Sequence, residues 1–390
     1  MSDDRLKSIL DDRDSGAPIS RIVRAMSEWG ALSGAEIARR TGLARSTVSV
    51  ALSKLRESGI VVELPEQAEA SKGVGRPATP LALNPEAGTC VGVHLALDEL
   101  RIAVADVAHS VIDEQSVPLG RDYAPEAAAE AARSAIASVY AAHGLRPSGL
   151  LGVGISVSGP LRPDGRVIRA SILPRWAGVN MRDVFGPVLE RPVFAANESN
   201  CAAIAEMTWG AAAGEDDFVL FKIDVGLGGA IVRDGTVLTG IAGGAGEFGH
   251  VSIDPQGPLC RCGNRGCLEL YVSLEALQRR GGGEEEWVDD VAPVFARAVR
   301  SIENLFDPQT VIMGGIAPPR LLARLAATTA SLGNALGARS DRTVPRILVA
   351  RGGPNSVLRG AATLAVNGVL APNGGRAFSK MQPVRPEELQ

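Results

Sequence analysis

Residues 246–271, GEFGHVSIDPQGPLCRCGNRGCLELY, constrain this chain more than any other stretch, because they set three of its five cysteines beside a histidine. Cys260, Cys262 and Cys267 follow His250, and Gly263 and Gly266 lie between the last two thiols. In a chain without a secretory segment, clustered thiols and an imidazole read as a zinc site rather than as disulfides. Zn²⁺ in a structural role favours a closed tetrahedral shell of three thiolates and one imidazole, with no open position. The two glycines permit the tight turn that brings both sulfurs to one ion. The bland alternative, separate reduced cysteines in a glycine-rich loop, accounts less well for C-x-C-G-x-x-G-C after a histidine. Two carboxylates interleave with the ligands, Glu247 before His250 and Glu269 after Cys267. A metal here would fix both acids in space and brace a polar binding site.

The chain has 390 residues, 45% of them hydrophobic, enough for two or three domains with sizeable cores. Its net charge of −4 excludes a general polyanion binder, so any nucleic-acid role must be local. No apolar run approaches the ~20 residues that cross a bilayer. The opening MSDDRLKSILDDRDSG is charged and lacks the apolar core of a leader, so the expectation is a cytoplasmic protein.

Residues 1–18 read as a disordered lead-in. From Ile19 the pattern becomes helical, with Ile22, Val23, Met26 and Trp29 at helical spacing up to Gly30. Ser33 caps a short second helix that turns Ile37 and Ala38 inward, and Thr41-Gly42 breaks it. A third helix is expected from near Ala44 to Ser58, with Val48, Leu52 and Leu55 as its apolar stripe. Helix, glycine turn, helix is the pattern of a helix-turn-helix. Arg45, Ser46, Thr47 and Ser49 then occupy the positions from which a recognition helix meets bases and phosphates. Between Ile19 and Ile60, Arg21, Arg24, Arg39, Arg40, Arg45, Lys54 and Arg56 outnumber Glu28, Glu36 and Glu57, a basic island in an acidic protein. Residues 60–64 and 81–83 would pair as a wing, with Lys72, Gly73, Gly75 and Arg76 at its tip or far edge. Arg76, extended between Gly75 and Pro77, suits a narrow minor groove. A three-helix interaction module is the bland alternative. The expected reader of DNA spans residues 19–85 and works as a homodimer, because such modules bind two-fold half-sites.

Beyond Gly88 the chain reads as α/β, strands alternating with helices. Strands are expected over residues 90–95, 100–107, 151–157, 218–223, 230–237 and 310–313, and helices over 125–143, 321–336 and 357–370. The tail after Pro372 reads as disordered. Cys90 and Cys201 are expected as core thiols, and His94, His109 and His143 carry no partner pattern.

Glu247-x-x-His250 followed by C-x-C-G-x-x-G-C-x-E resembles the ROK family, which comprises repressors, open reading frames and sugar kinases. The resemblance covers nearly the whole chain when the winged helix is counted. It implies a two-lobed actin-like ATPase fold over residues 88–372, its halves related by duplication, and it assigns further residues. Kinases of the family open this domain with Asp-x-Gly-Gly-Thr, where amides and a hydroxyl cradle nucleotide phosphates. Here His94 takes the Asp position, Ala96 and Leu97 the glycines, and Asp98 the Thr, which sets like charge against a polyanion. The second phosphate loop, Gly-Thr-Gly-x-Gly-Gly, reads Asp224-Val225-Gly226-Leu227-Gly228-Gly229, and only the Met313-Gly314-Gly315 turn is kept. The resemblance therefore implies loss of ATP binding and no enzyme.

Its sugar-binding positions fare better. Asn197, Glu247, His250 and Glu269 match family sugar contacts, and Glu198 stands where kinases carry the Asp that acts as general base. Glutamate reaches one methylene further, which catalysis tolerates poorly, but it still accepts a hydroxyl hydrogen bond. Asn197 reads equally well as a helix cap, and Ser171-Ile172 replaces a Pro-Asn common among the kinases. The expectation is a sugar-responsive regulator, most simply a repressor, binding operator DNA. Its rivals are a sugar kinase with an appended DNA-binding domain and a DNA-bound scaffold with a vestigial cleft.

Overall fold

The computed structural model describes residues 13–64, 79–170, 172–333, 336 and 342–370. The expectations for Lys72, Gly73, Gly75, Arg76, Ser171 and the tail beyond Pro372 lie outside the described residues.

The first helix, α1 (Arg13–Trp29), starts ahead of Ile19 and contains Pro18, so helix replaces the last part of the expected lead-in. Ile19, Ile22, Val23 and Met26 are buried. Trp29, expected on the same stripe, is instead 42% exposed, and the Arg40 guanidinium lies over its ring at 3.8 Å from the centroid. Helix α2 (Gly34–Thr41) opens on a capping box: Ser33 Oγ accepts from the Glu36 amide, and the Glu36 carboxylate accepts from the Ser33 amide at 2.8 Å. Such a cap contributes about 1 kcal/mol. Gly42 ends the helix at φ 66°, and α3 (Arg45–Glu57) follows, burying Val48, Ala51, Leu52 and Leu55. Strand β1 (Val61–Glu63) pairs antiparallel with β2 (Leu81–Leu83), which bears out the expected root of a wing.

The chain divides into two compact units, residues 1–196 with 358–390, and residues 197–357. In the first, strands β3 (Thr89–Leu95), β4 (Glu99–Asp106) and β5 (Val111–Pro118) form an antiparallel meander. Helix α4 (Pro125–Ala142) leads to β6 (Leu150–Val157), which joins parallel to β3, and α5 (Met181–Leu189) leads to β7 (Val193–Asn197). The sheet order is β5-β4-β3-β6-β7. Ala128, Ala129, Ala132 and Ala135 of α4, with Trp176, Met181 and Phe185, share one core with the inward residues of these strands.

The second unit repeats this plan. It opens with α6 (Glu198–Trp209), followed by β8 (Phe218–Ile223), β9 (Leu227–Arg233) and β10 (Thr236–Val237) as the antiparallel part. The strand expected over residues 230–237 begins earlier, at Leu227, and breaks at Asp234-Gly235, both at positive φ as a tight hairpin turn requires. Helices α7 (Leu274–Arg280) and α8 (Glu284–Phe306) lead to β11 (Thr310–Gly314), parallel to β8. Helix α9 (Pro319–Ser331) precedes β12 (Ile347–Val349), parallel to β11. The order β10-β9-β8-β11-β12 matches the first sheet strand for strand, the duplication that the resemblance implies. The last helix, α10 (Ser356–Leu370), packs on the first sheet so closely that a Cβ on Gly154 would lie 1.9 Å from the Ala361 carbonyl.

Phe248 anchors the cysteine-rich loop to the second core. Its ring lies 5.4 Å from that of Phe221, which meets Phe295 edge-on at 4.9 Å. The residues on either side of it, Glu247 and the 3-10 turn ending at His250, are thereby tied to the sheet. Among the described residues, no helix is long and apolar enough to cross a membrane.

Candidate functional site

The four expected metal ligands converge. One ligand atom each from His250, Cys260, Cys262 and Cys267 lies within 4.8 Å of every other. Cys260 Sγ is 3.7 Å from His250 Nδ1, and Cys262 Sγ is 3.5 Å from Cys267 Sγ. A tetrahedron with Zn–S arms near 2.3 Å has edges of about 3.8 Å, so the separations suit one ion of that size. The loop is closed by backbone bonds: the Cys260 amide donates to the Asn264 carbonyl at 2.7 Å, and the Gly266 amide to the Pro258 carbonyl at 2.9 Å. Gly266 has φ 60°, and a Cβ there would lie 1.7 Å from the Asp254 carbonyl oxygen. No side chain fits at that corner. The donor set and its spacing therefore could hold a metal.

The two interleaved carboxylates differ in their surroundings. Glu269 is 8% exposed and both its oxygens are held: Oε2 accepts from the Leu227 amide at 3.1 Å, and Oε1 from Arg261 Nη2 at 2.9 Å and Nε at 3.3 Å. Arg261 sits between Cys260 and Cys262, so the loop that gathers the thiols also grips this acid. Glu247 is half-buried; burial pushes its carboxyl up, the His250 ring opposes that and the Glu269 charge adds to it. His250 turns Nδ1 to the sulfurs, which leaves Nε2 on the far side of the ring.

Asn197 and Glu198 sit where β7 turns into α6. Asn197 is the helix cap, its Oδ1 accepting from the Asn200 amide at 2.8 Å. One turn on, the buried Asn200 Oδ1 has no hydrogen-bond partner among the described residues. Glu198 accepts from Lys222 Nζ at 2.9 Å, and the same ammonium bonds Asp224. Burial opposes the charge on Lys222, but Glu198 and Asp224 together outweigh it and hold the ammonium above the ordinary lysine range. Lys222 escapes notice in the sequence, because β8 reads as one apolar run around it.

Residues 224–226 form a tight connection between β8 and β9, the Asp224 amide donating to the Gly226 carbonyl. Both oxygens of the Asp224 carboxylate are engaged, Oδ1 accepting from the Ile316 amide at 2.8 Å and Oδ2 from Lys222. The retained Gly315 makes room for it, since a Cβ there would lie 2.4 Å from Asp224 Oδ1. In the other unit, Ala96 and Asp98 belong to the turn between β3 and β4, the Ala96 amide bonding the Glu99 carbonyl. Of the expected DNA contacts, Arg45, Ser46 and Ser49 are exposed at the start of α3 and Thr47 is half-buried.

The profile of the ROK family matches residues 90–290, and that of the bacterial regulatory proteins of the arsR family matches residues 20–62. The xylose repressor of Bacillus subtilis is 30% identical over 302 residues, covering 72% of this chain and 77% of that protein. Among solved structures, a ROK family transcriptional regulator described as a homologue of the Escherichia coli MLC protein superposes with a TM-score of 0.71 at 21% identity, over 95% of this chain and 99% of that one. A ROK hexokinase from Thermus thermophilus superposes with a TM-score of 0.59 at 28% identity, over 71% of this chain and 97% of its own.

Proposed function

The chain belongs to the ROK family, and on that premise we propose that it is a sugar-responsive transcriptional repressor that reads operator DNA as a homodimer. The observation that carries this reading is a helix-turn-helix with exposed arginines at the start of its second helix and the end of its first, joined to a ROK unit in which Glu247 and Glu269 flank a loop whose His250 and three cysteines converge. The effector is a sugar or sugar derivative, held by Asn197, Glu198, Glu247, His250 and Glu269. Carboxylates and amides suit such a ligand because each satisfies neighbouring hydroxyls. Arg45, Ser46, Thr47 and Ser49 meet the operator from α3, with Arg76 reaching it from the wing.

Zn²⁺ is the metal that three thiolates and one imidazole favour, in a structural role. His250 meets it through Nδ1, which fixes the tautomer and offers Nε2 to the ligand. The effector acts by binding the DNA-free form better than the bound one, since a ligand shifts an equilibrium only by its differential affinity.

The same residues argue against a kinase. Glu198, at the position of the general base, is neutralised by a lysine, and Asp224, in the second phosphate loop, sets a carboxylate where a nucleotide would bring phosphates. Purified protein should bind its operator with an affinity that a sugar from a broad panel changes at least tenfold, and should not turn over ATP with any hexose in a coupled assay. Operator affinity indifferent to every sugar removes the sensor; turnover abolished by Glu198→Gln restores the kinase.

A further inference from the structure

We propose that Val50 reads the 5-methyl group of a thymine in the operator's major groove. This rests on the DNA-binding reading above and adds a specificity-determining contact that the polar residues of α3 cannot supply.

Helix α3 buries Val48, Ala51, Leu52 and Leu55. At 3.6 residues per turn, Val50 lies about 150° round the helix from that stripe, on the outward face with Ser46 and Ser53. It is 60% exposed. A β-branched residue is a poorer helix former than alanine and gains nothing from water, so neither local stability nor the core explains a valine here. Its neighbours on that face are the hydroxyls of Ser46 and Ser53, with Lys54 and Glu57 toward the helix end. Ser53 Oγ is spent on Glu57 at 2.9 Å, whereas Ser46 and Ser49 stand exposed in the half of the helix nearer its start. A lone apolar group thus projects from a polar, base-reading surface.

Charge identifies what covers that surface. Arg45 begins the helix, and Arg39 and Arg40 are exposed at the end of α2. Arg40 is already ordered by the Trp29 ring beneath it, 3.8 Å from the centroid. Cations flanking a helix with an exposed face fit a duplex, whose phosphates border each groove. The major-groove edges of the four bases offer donors, acceptors and one apolar group, the methyl of thymine. In a helix the valine side chain holds essentially one rotamer, so its methyls meet that group with little further ordering.

The test uses the full-length protein and duplexes it enriches from a random pool. Each thymine of an enriched half-site is replaced in turn by uracil, which removes only the methyl. One replacement should weaken wild-type binding about three- to fivefold, the scale of one buried methyl. Val50→Ala, at a position that packs on nothing inward, keeps the fold and should bind the thymine and uracil duplexes alike. If no uracil replacement matters to the wild type, or if Val50→Ala keeps the difference, the contact is refuted while DNA binding stands. If no duplex is enriched, the DNA-binding reading itself fails and takes this contact with it.

Discussion

Lys222 Nζ lies 2.9 Å from Glu198 Oε2 and bonds Asp224 as well, with only 7% of the lysine side chain exposed. Two acids therefore share one buried cation. Removing that cation takes away the counter-charge that both carboxylates share, and breaking a buried pair in this way costs about 3–5 kcal/mol. Lys222→Met is expected to lower the unfolding free energy by about 3 kcal/mol in a denaturant titration. Asp224→Asn should cost less, since Lys222 keeps Glu198. A Lys222→Met loss within about 0.5 kcal/mol, the range of an ordinary surface substitution, would sink the idea.

Cys262 and Cys267 stand 3.5 Å apart in the cluster with His250 and Cys260, and a closed shell of four needs all of them. Metal analysis of the purified protein should find about one zinc per chain. Cys262→Ser should abolish it, lower Tm and remove the effector response together, because the loop that holds Glu247, His250 and Glu269 loses its brace. Retention of both metal and response in that variant refutes a structural zinc.

The parts of the molecule legible in the sequence are those whose signal is local. His250 and the three cysteines lie within one short loop, and their spacing is set by the ligand shell, so the cluster could be found before any fold was known. Ser33 with Glu36, and Gly42 after Thr41, likewise mark the ends of α2 in the sequence itself. Lys222 with Glu198 is different: the pair joins a strand to the start of a helix 24 residues earlier, and neither segment's periodicity announces it. Strand β5 is hidden because Asp113, Glu114 and Gln115 interrupt its apolar alternation, as suits a half-exposed edge strand. Trp29 follows helical spacing yet ends half outside, since the last residue of α1 meets Arg40 rather than the core.

Arg261 ties the cysteine-rich loop to Glu269, a proposed effector contact, through its paired bonds. Charged hydrogen bonds of this kind contribute about 1.5–3 kcal/mol. Arg261→Met is expected to weaken the effector at least tenfold in calorimetry while leaving the zinc content unchanged, because the arginine is not a ligand. Equal losses of zinc and effector would mean that the substitution merely opens the loop; unchanged effector affinity would mean that Glu269 needs no positioning.

His109 sits at φ 68° in the turn between β4 and β5, both its ring nitrogens buried and neither hydrogen-bonded among the described residues. Burial pushes its imidazole down to about 4. The unfolded chain, with an ordinary histidine near 6.5, then binds a proton before the folded one does. The stability held by the neutral ring is complete above about pH 6.5 and is lost as pH falls toward 4, at up to about 1.4 kcal/mol per pH unit. His109→Asn removes the titration and keeps a side chain that tolerates the left-handed backbone. Urea unfolding at several pH values between 7.5 and 4.5 should show wild-type stability falling more steeply than that of the variant. Release of metal from the cysteine cluster at low pH affects both proteins and cancels in the difference. Parallel curves would show that the ring takes up its proton without leaving the fold.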